Sequence, residues 1–160
     1  MKVKKTNAMR ILDQNKITYE SFEYEHQKND PVDGCSVAKK LNEDEASVFK
    51  TLVLQANTKE YFVFMLPVHL ELNLKKCAKA AQVKSVEMIH VKDINKITGY
   101  IRGGCSPLGM KKQFKTFIHQ SAFEQDFIYF SGGKIGCQIK MNPNDLSKII
   151  PIESADLIKE

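Results

Sequence analysis

Three stretches of this 160-residue chain hold residues whose types and spacing suit chemistry. Tyr100–Lys112 reads Tyr-Ile-Arg-Gly-Gly-Cys-Ser-Pro-Leu-Gly-Met-Lys-Lys and crowds Gly103, Gly104, Pro107 and Gly109 together just after an expected strand. Glycine lets backbone approach a ligand closely or adopt positive φ, and Pro107 fixes one φ while removing one donor. Such a loop presents N–H groups to an oxyanion or a phosphate, although the same composition also suits a plain turn between strands. It lacks the Gly-Lys-Ser/Thr ending of a Walker loop and the GxGxxG spacing of a dinucleotide site. Phe49-Lys50-Thr51 stands where a helix hands over to a core strand. A lysine there either points into a cleft, where burial lowers its pKa, or is simply solvated. Ser131-Gly132-Gly133-Lys134 is either a second anion-binding turn or a tight hairpin. Cys105-Ser106 suggests a nucleophile, yet no His or Asp adjoins it, so a base such as His119 or His90 would have to meet it in space. The alternative is a small buried apolar residue.

The elements that must position these residues follow from local signals. Thr6 caps a helix running to about Asn15, with Ala8, Ile11 and Leu12 on one face. A strand is expected over Ile17–Tyr24 and a loop over residues 27–34. Ser36 is expected to cap a helix bearing Val37, Ala38 and Leu41, with another short helix over Asp44–Phe49. Thr51–Gln55 and Tyr61–Leu66 read as a hairpin. Asn73 caps Leu74–Gln82, whose face is Leu74, Cys77, Ala78 and Ala81. Val86–Ile89 is a short strand, and Val91–Thr98 a helix closed by Gly99. Thr116–His119, Phe127–Ser131 and Cys137–Met141 are strands, with a short turn or helix at Ser121–Gln125. Asn142-Pro143 opens a last helix to about Ile149. Hairpins among irregularly interleaved helices disfavour a doubly wound parallel sheet and favour an α+β domain with a mixed, strongly curved sheet.

Composition sets outer limits. The length suits one domain over residues 1–160, and ordinary globular composition excludes disorder. No apolar run is long enough to span a bilayer and none follows the first residues, so a cytoplasmic protein without membrane contact is expected. The formal charge is +5, compatible with nucleic acid, but only Arg10 and Arg102 offer planar bidentate recognition. Cys35, Cys77, Cys105 and Cys137 have no CxxC pairing and read as free thiols; His26, His69, His90 and His119 add no zinc-like spacing.

Several stretches, in order, resemble one family. Lys5-Thr-Asn-Ala, Val48-Phe-Lys-Thr-Leu, Leu72-Asn-Leu-Lys-Lys, Thr98-Gly-Tyr-Ile-Arg-Gly-Gly-Cys-Ser-Pro-Leu-Gly-Met-Lys-Lys and Ile128-Tyr-Phe-Ser-Gly-Gly-Lys-Ile-Gly are similar to the YbaK/EbsC proteins. These are free-standing relatives of the editing domain inserted in bacterial prolyl-tRNA synthetases, and the match is collinear from about Lys5 to Ile150. The resemblance implies a mixed six- or seven-stranded sheet curled toward a barrel and surrounded by helices. It implies deacylation of mischarged aminoacyl-tRNA, most characteristically Cys-tRNA(Pro), with Ala-tRNA(Pro), a broader range, or a non-catalytic binding module as alternatives. On it Lys50, Gly103 and Gly104 are the expected catalytic residues. Tyr24, Thr51, Arg102, Ser106, Pro107, Ser131, Gly132 and Gly133 are the residues expected to hold the substrate. No metal or other cofactor is implied; the implied partners are the 3′ aminoacyl end of tRNA(Pro) and, as a docking partner, prolyl-tRNA synthetase. Two departures bear on substrate selection: Ile135 stands where an arginine is common, and Gln138 where some members carry an acid.

Overall fold

Thr6 starts the chain's first helix as its residue type requires: its hydroxyl accepts a hydrogen bond from the Met9 amide at 3.2 Å, satisfying a donor that the helix itself leaves open. In the computed structural model, which describes residues 5–26 and 32–160, four α-helices and eight strands alternate irregularly along an α+β chain. The helices are α1 (Asn7–Gln14), α2 (Gly34–Leu41), α3 (Leu74–Ala81) and α4 (Ile94–Thr98). The first four strands are β1 (Glu20–Glu23), β2 (Phe49–Ala56), β3 (Tyr61–Pro67) and β4 (Val86–Met88). The last four are β5 (Thr116–His119), β6 (Ile128–Ser131), β7 (Cys137–Met141) and β8 (Ile152–Ala155). No helix among the described residues is long and apolar enough to cross a membrane.

The mixed α+β class stands, with the strands divided between two sheets. One is five-stranded in the order β4-β2-β3-β5-β8; the other is three-stranded in the order β1-β7-β6. The β2–β3 hairpin pairs from Phe49 opposite Pro67 to Gln55 opposite Tyr61, as the two β-rich runs require. β4 reaches only Leu54–Ala56 of β2, leaving the Phe49–Leu52 half of that strand without a partner on that edge. Here the small sheet closes in, through a parallel bridge between Val48 and Tyr129. α1 packs Ala8, Met9 and Leu12 against Phe130, Ile139 and Met141 of the small sheet, and α3 covers the large sheet with Cys77 and Ala78.

Several local readings need correction. Asp33, not Ser36, caps α2: its carboxylate accepts from the Ser36 amide at 3.0 Å, so the helix begins at Gly34. Of the loop expected over residues 27–34, residues 27–31 lie outside the described residues. β1 starts three residues later than expected because Lys16 turns the chain at φ 56°, and it ends where the Tyr24 amide turns to the Gly136 carbonyl. The helix expected over Asp44–Phe49 is a 3-10 turn over Glu45–Ser47, capped by Asp44. Leu74 is exposed: as the first residue of α3 its side chain points back past the helix start, not onto the sheet. The glycine loop follows not a strand but the helix expected over Val91–Thr98, which is a 3-10 turn over Val91–Asp93 continuing into α4 and closed by Gly99. β8 had no expectation, since Ile152-Glu-Ser-Ala offers little β pattern and forms a strand by pairing in parallel with β5.

The chain beyond β8 is tied down by side chains. Lys76 reaches Asp156 at 2.8 Å and the Ile158 carbonyl at 2.9 Å, while buried His119 accepts the Leu157 amide on Nδ1 at 3.2 Å. A proton on Nδ1 would end that last bond. Burial pushes the His119 pKa below its ordinary value, with Asp156 opposing and Lys76 adding to the fall. A depressed folded pKa means the unfolded chain takes up its proton first. The His119 contribution is therefore complete above the ordinary value of 6.5 and is lost as pH falls through the folded value. Urea unfolding at pH 7.5 and pH 5.0 is expected to show lower stability at the acid value, and His119→Gln to flatten that dependence.

Candidate functional site

Lys50 and Thr51 occupy the part of β2 that β4 leaves uncovered, and the cavity lies there. It has a volume of about 300 Å³ and sits between the large sheet, the small sheet, the start of α2 and the glycine loop. Lys50, Thr51 and Leu52 supply one wall, Arg102, Gly103 and Cys105 another, and Ser131 and Gln138 stand side by side on paired strands behind them. Tyr24 and the apolar side chains of Val37, Val48 and Val68 complete it.

The glycine loop reaches this position through backbone contact. The Gly104 backbone lies against Lys134 and Ile135: a Cβ on Gly104 would sit 3.0 Å from the Ile135 nitrogen and from two Lys134 backbone atoms. Gly103 turns the chain at φ 84°, a conformation that a side chain would strain. Tyr100, buried beneath the loop, donates its hydroxyl to the Leu108 carbonyl. Ser106 is fully buried, and its hydroxyl accepts from the Leu108 amide at 3.3 Å.

The electrostatics of the cavity are uneven. Lys50 is half-buried and burial pushes its pKa down, with Cys35 and Glu71 partly opposing; no carboxylate among the described residues pairs with it. A half-buried ammonium in no ion pair favours an arriving anion. Thr51 Oγ1 and Gln138 Oε1 are buried polar atoms with no hydrogen-bond partner among the described residues, and both residues line the cavity. Such atoms are costly unless a ligand or water satisfies them. Burial pushes the Cys105 thiol up to about 12, with a Thr98 contact only partly offsetting it. Neither Lys50 nor Arg102 lowers it, and neither His119 nor His90 lines the cavity. The four cysteines are free thiols, and no cluster of metal-ligating side chains occurs among the described residues.

Of the residues singled out in the sequence, the structure brings Tyr24, Lys50, Thr51, Arg102, Gly103, Cys105 and Ser131 to the cavity. Gly104, Ser106, Pro107, Gly132 and Gly133 are not in its lining. The Gly104 amide donates to the Ile101 carbonyl at 2.9 Å and so is already engaged, whereas the Gly103 and Cys105 amides have no partner among the described residues. The Gly132 amide bonds the Cys137 carbonyl at 2.9 Å and the Gly133 amide the Ser131 hydroxyl at 3.2 Å, so these two glycines shape the hairpin behind Ser131. Lys134 turns toward Glu23, 3.7 Å away, not into the cavity. Asp33, which the sequence did not single out as a site residue, also lines the cavity, and so does Gln138, which stood only as a departure from the family pattern. Its signal was a lone amide facing away from the core in the otherwise apolar alternation of Cys137, Ile139 and Met141.

Fold and cavity together define a small α+β ligand-binding domain with a glycine turn as one wall and a lysine on the strand opposite. The chain belongs to the aminoacyl-tRNA editing domain family, whose model matches residues 31–149. It is 42% identical over 153 residues to an Enterococcus faecalis protein provisionally named Cys-tRNA(Pro)/Cys-tRNA(Cys) deacylase EbsC, covering 96% of this chain and 93% of that one. Among solved structures its fold resembles the hypothetical protein APE2540, with a TM-score of 0.86 at 17% identity over 96% of this chain and 100% of that one. It also resembles a protein provisionally described as a trans-editing enzyme for prolyl tRNA synthetase, with a TM-score of 0.81 at 15% identity, covering 99% and 100% of the two chains. At those identities the structural likeness is one of fold.

The contact of the two glycine turns has a measurable consequence. Gly104→Ala must push backbone apart, since no flexible side chain is there to yield. It is expected to cost roughly 1–3 kcal/mol, as overpacking does elsewhere, read as a lowered urea midpoint at unchanged m-value.

Proposed function

We propose that this protein deacylates Cys-tRNA(Pro) in trans. The observation that carries the reading is the half-buried Lys50 ammonium, in no ion pair among the described residues, lining one cavity with the Gly103 turn, in a chain 42% identical to a protein named for that substrate. In this reading Lys50 neutralises the 3′-terminal phosphate and substrate charge. The Gly103 and Cys105 amides, free of other partners among the described residues, receive the developing charge on the aminoacyl carbonyl oxygen. The Gly104 amide takes a supporting part, holding the turn through Ile101. Gln138 Oε1 and Thr51 Oγ1 accept hydrogen bonds from the aminoacyl ammonium and ribose hydroxyl groups. Tyr24, Arg102 and Ser131 frame the ester.

The bond to be broken joins an aminoacyl carbonyl to a ribose oxygen, an ester that needs less activation than an amide, so placement and charge stabilisation suffice. The nucleophile is the substrate's own thiol. Its sulfur bonds the carbonyl carbon, the ester C–O bond breaks, and the thiol proton ends on the ribose oxygen, releasing a strained thiolactone. Cys105 is not the attacking group: with its thiol pushed up to about 12, almost none of it is thiolate at neutral pH. Prolyl-tRNA synthetase is the docking partner in this reading, supported only by the fold relative described as a trans-editing enzyme for it.

The test is a deacylation time course on Cys-tRNA(Pro), Cys-tRNA(Cys), Ala-tRNA(Pro) and Ser-tRNA(Pro). Wild-type protein is expected to cleave the cysteinyl ester and to slow sharply when serine replaces cysteine, because a hydroxyl is a far weaker nucleophile than a thiolate. Lys50→Ala is expected to lose roughly 10²-fold in rate, and Cys105→Ala to keep most of it. No acceleration on any substrate would remove the enzyme reading, and equal rates on Cys-tRNA(Pro) and Cys-tRNA(Cys) would place selection at the amino acid alone. A folded but inactive Cys105→Ala that coincides with fast serine release would make the protein a thiol hydrolase.

A further inference from the structure

The two sides of the cavity differ in charge. On one side stands α4 with the glycine loop that follows it. Residues 91–112 carry Lys92, Lys96, Arg102, Lys111 and Lys112 against the single acid Asp93. On the other side stand α2 and the turn after it, where residues 33–45 carry Asp33, Glu43, Asp44 and Glu45 against Lys39 and Lys40. The basic side is also built as one surface. The Lys111 stem lies across Gly99, where a Cβ would meet its Cγ at 3.1 Å, and its amide donates to the Thr98 carbonyl at 2.9 Å. Its ammonium reaches the Lys96 carbonyl at 3.4 Å, bringing the two lysines together. Arg102, in the cavity wall, follows three residues after Gly99 and is exposed, as are Lys96, Lys111 and Lys112. None of these five basic residues forms an ion pair among the described residues, and the exposed Ile101 beside Arg102 adds apolar surface at the lip.

We infer that the rim formed by α4 and the glycine loop takes the phosphate backbone of an RNA acceptor stem, so that the 3′ end reaches the cavity from this side and not over α2. The inference rests on the reading of the cavity as a site for an ester carried on tRNA. A strand with one negative charge per nucleotide is drawn to the rim whose cations are uncompensated and repelled by the rim where acids outnumber lysines. Cations already neutralised by carboxylates would release few counterions on binding; these release one for each phosphate they meet.

The experiment measures binding, not turnover. A 5′-labelled acceptor-stem minihelix ending in CCA is titrated with intact protein by fluorescence anisotropy over a salt series. Lys96→Gln/Lys112→Gln is compared with Lys39→Gln/Lys40→Gln, each checked for an unchanged unfolding midpoint. The first pair is expected to weaken binding and to reduce the slope of log K against log salt by about 2, one for each phosphate contact removed. The second pair is expected to leave the slope unchanged. The inference is overturned if the first pair leaves the slope unchanged, if the α2 pair produces the loss, or if wild-type protein fails to bind below about 10⁻⁴ M, the weak limit of non-specific binding. Failure of the parent reading looks different: the slope changes as expected while Cys-tRNA(Pro) survives the deacylation assay. Normal deacylation with an unchanged slope sinks the rim alone.

Discussion

Where Gly104 meets the backbone of Lys134 and Ile135 there is space for a hydrogen and none for a carbon. That contact joins two turns far apart in the chain, one following α4 and one linking β6 to β7. The first turn is also held from beneath, because Tyr100 packs with Val53 and Val63 of the large sheet and bonds the Leu108 carbonyl. The second belongs to the small sheet. The glycine loop is therefore a clamp between two sheets, which the Val48–Tyr129 bridge and a shared core also join. A cavity wall made this way is backbone, with its amides at fixed positions, which is the property that electrostatic stabilisation of a developing charge requires.

The opposite wall depends on a missing pairing. Because β4 stops at Leu54, the leading half of β2 keeps an open edge inside the fold, and Lys50 and Thr51 lie along it. An unpaired strand edge inside a protein is a liability unless something covers it. Here the small sheet and α2 cover it incompletely, and the space left over is the cavity. The charge of Lys50 and the oxygens of Thr51 and Gln138, which have no partner among the described residues, are one consequence of that gap. Removing them would favour the apo fold and strip β2's side of the cavity of its polar groups.

The legible parts of this fold were those fixed by neighbours in sequence. Thr6, Asn73 and Gly99 end their helices where their types demand, and the β2–β3 hairpin follows from two β-rich runs on either side of a polar turn. Lys50 and the glycine turns each have an ordinary local use, as a solvated lysine, a plain turn or a hairpin, and the family resemblance is what singled them out. The rest depended on distant partners. β8 pairs with β5 although little in Ile152–Ala155 favours a strand, and α2 begins a turn early because Asp33 reaches the Ser36 amide first. Gly104 looked like a donor to substrate, and only the folded turn shows its amide engaged with Ile101. Gln138 became a cavity residue through its register opposite Ser131, a fact of pairing that no single strand carries.

Size alone gives such a site little means of choosing its amino acid. A cavity of about 300 Å³ is small for a ligand pocket but not closely fitted to one short side chain. A difference of one methylene is worth only about 1–3 kcal/mol even in a fitted pocket. In the proposed reading Lys50, Thr51 and Gln138, which share the cavity lining with Tyr24, Asp33, Arg102 and Ser131, address parts that every aminoacyl ester has: charge, ammonium and ribose hydroxyl. Discrimination in the proposed reading comes from reactivity, because a thiol is the one feature of a cysteinyl ester that changes the chemistry as well as the shape. In that reading a protein that supplies position and charge but no nucleophile is selective for substrates that bring their own. The near-absence of thiolate at Cys105 is consistent with that division of labour, since a competing protein thiolate would attack any ester in reach and erase the preference.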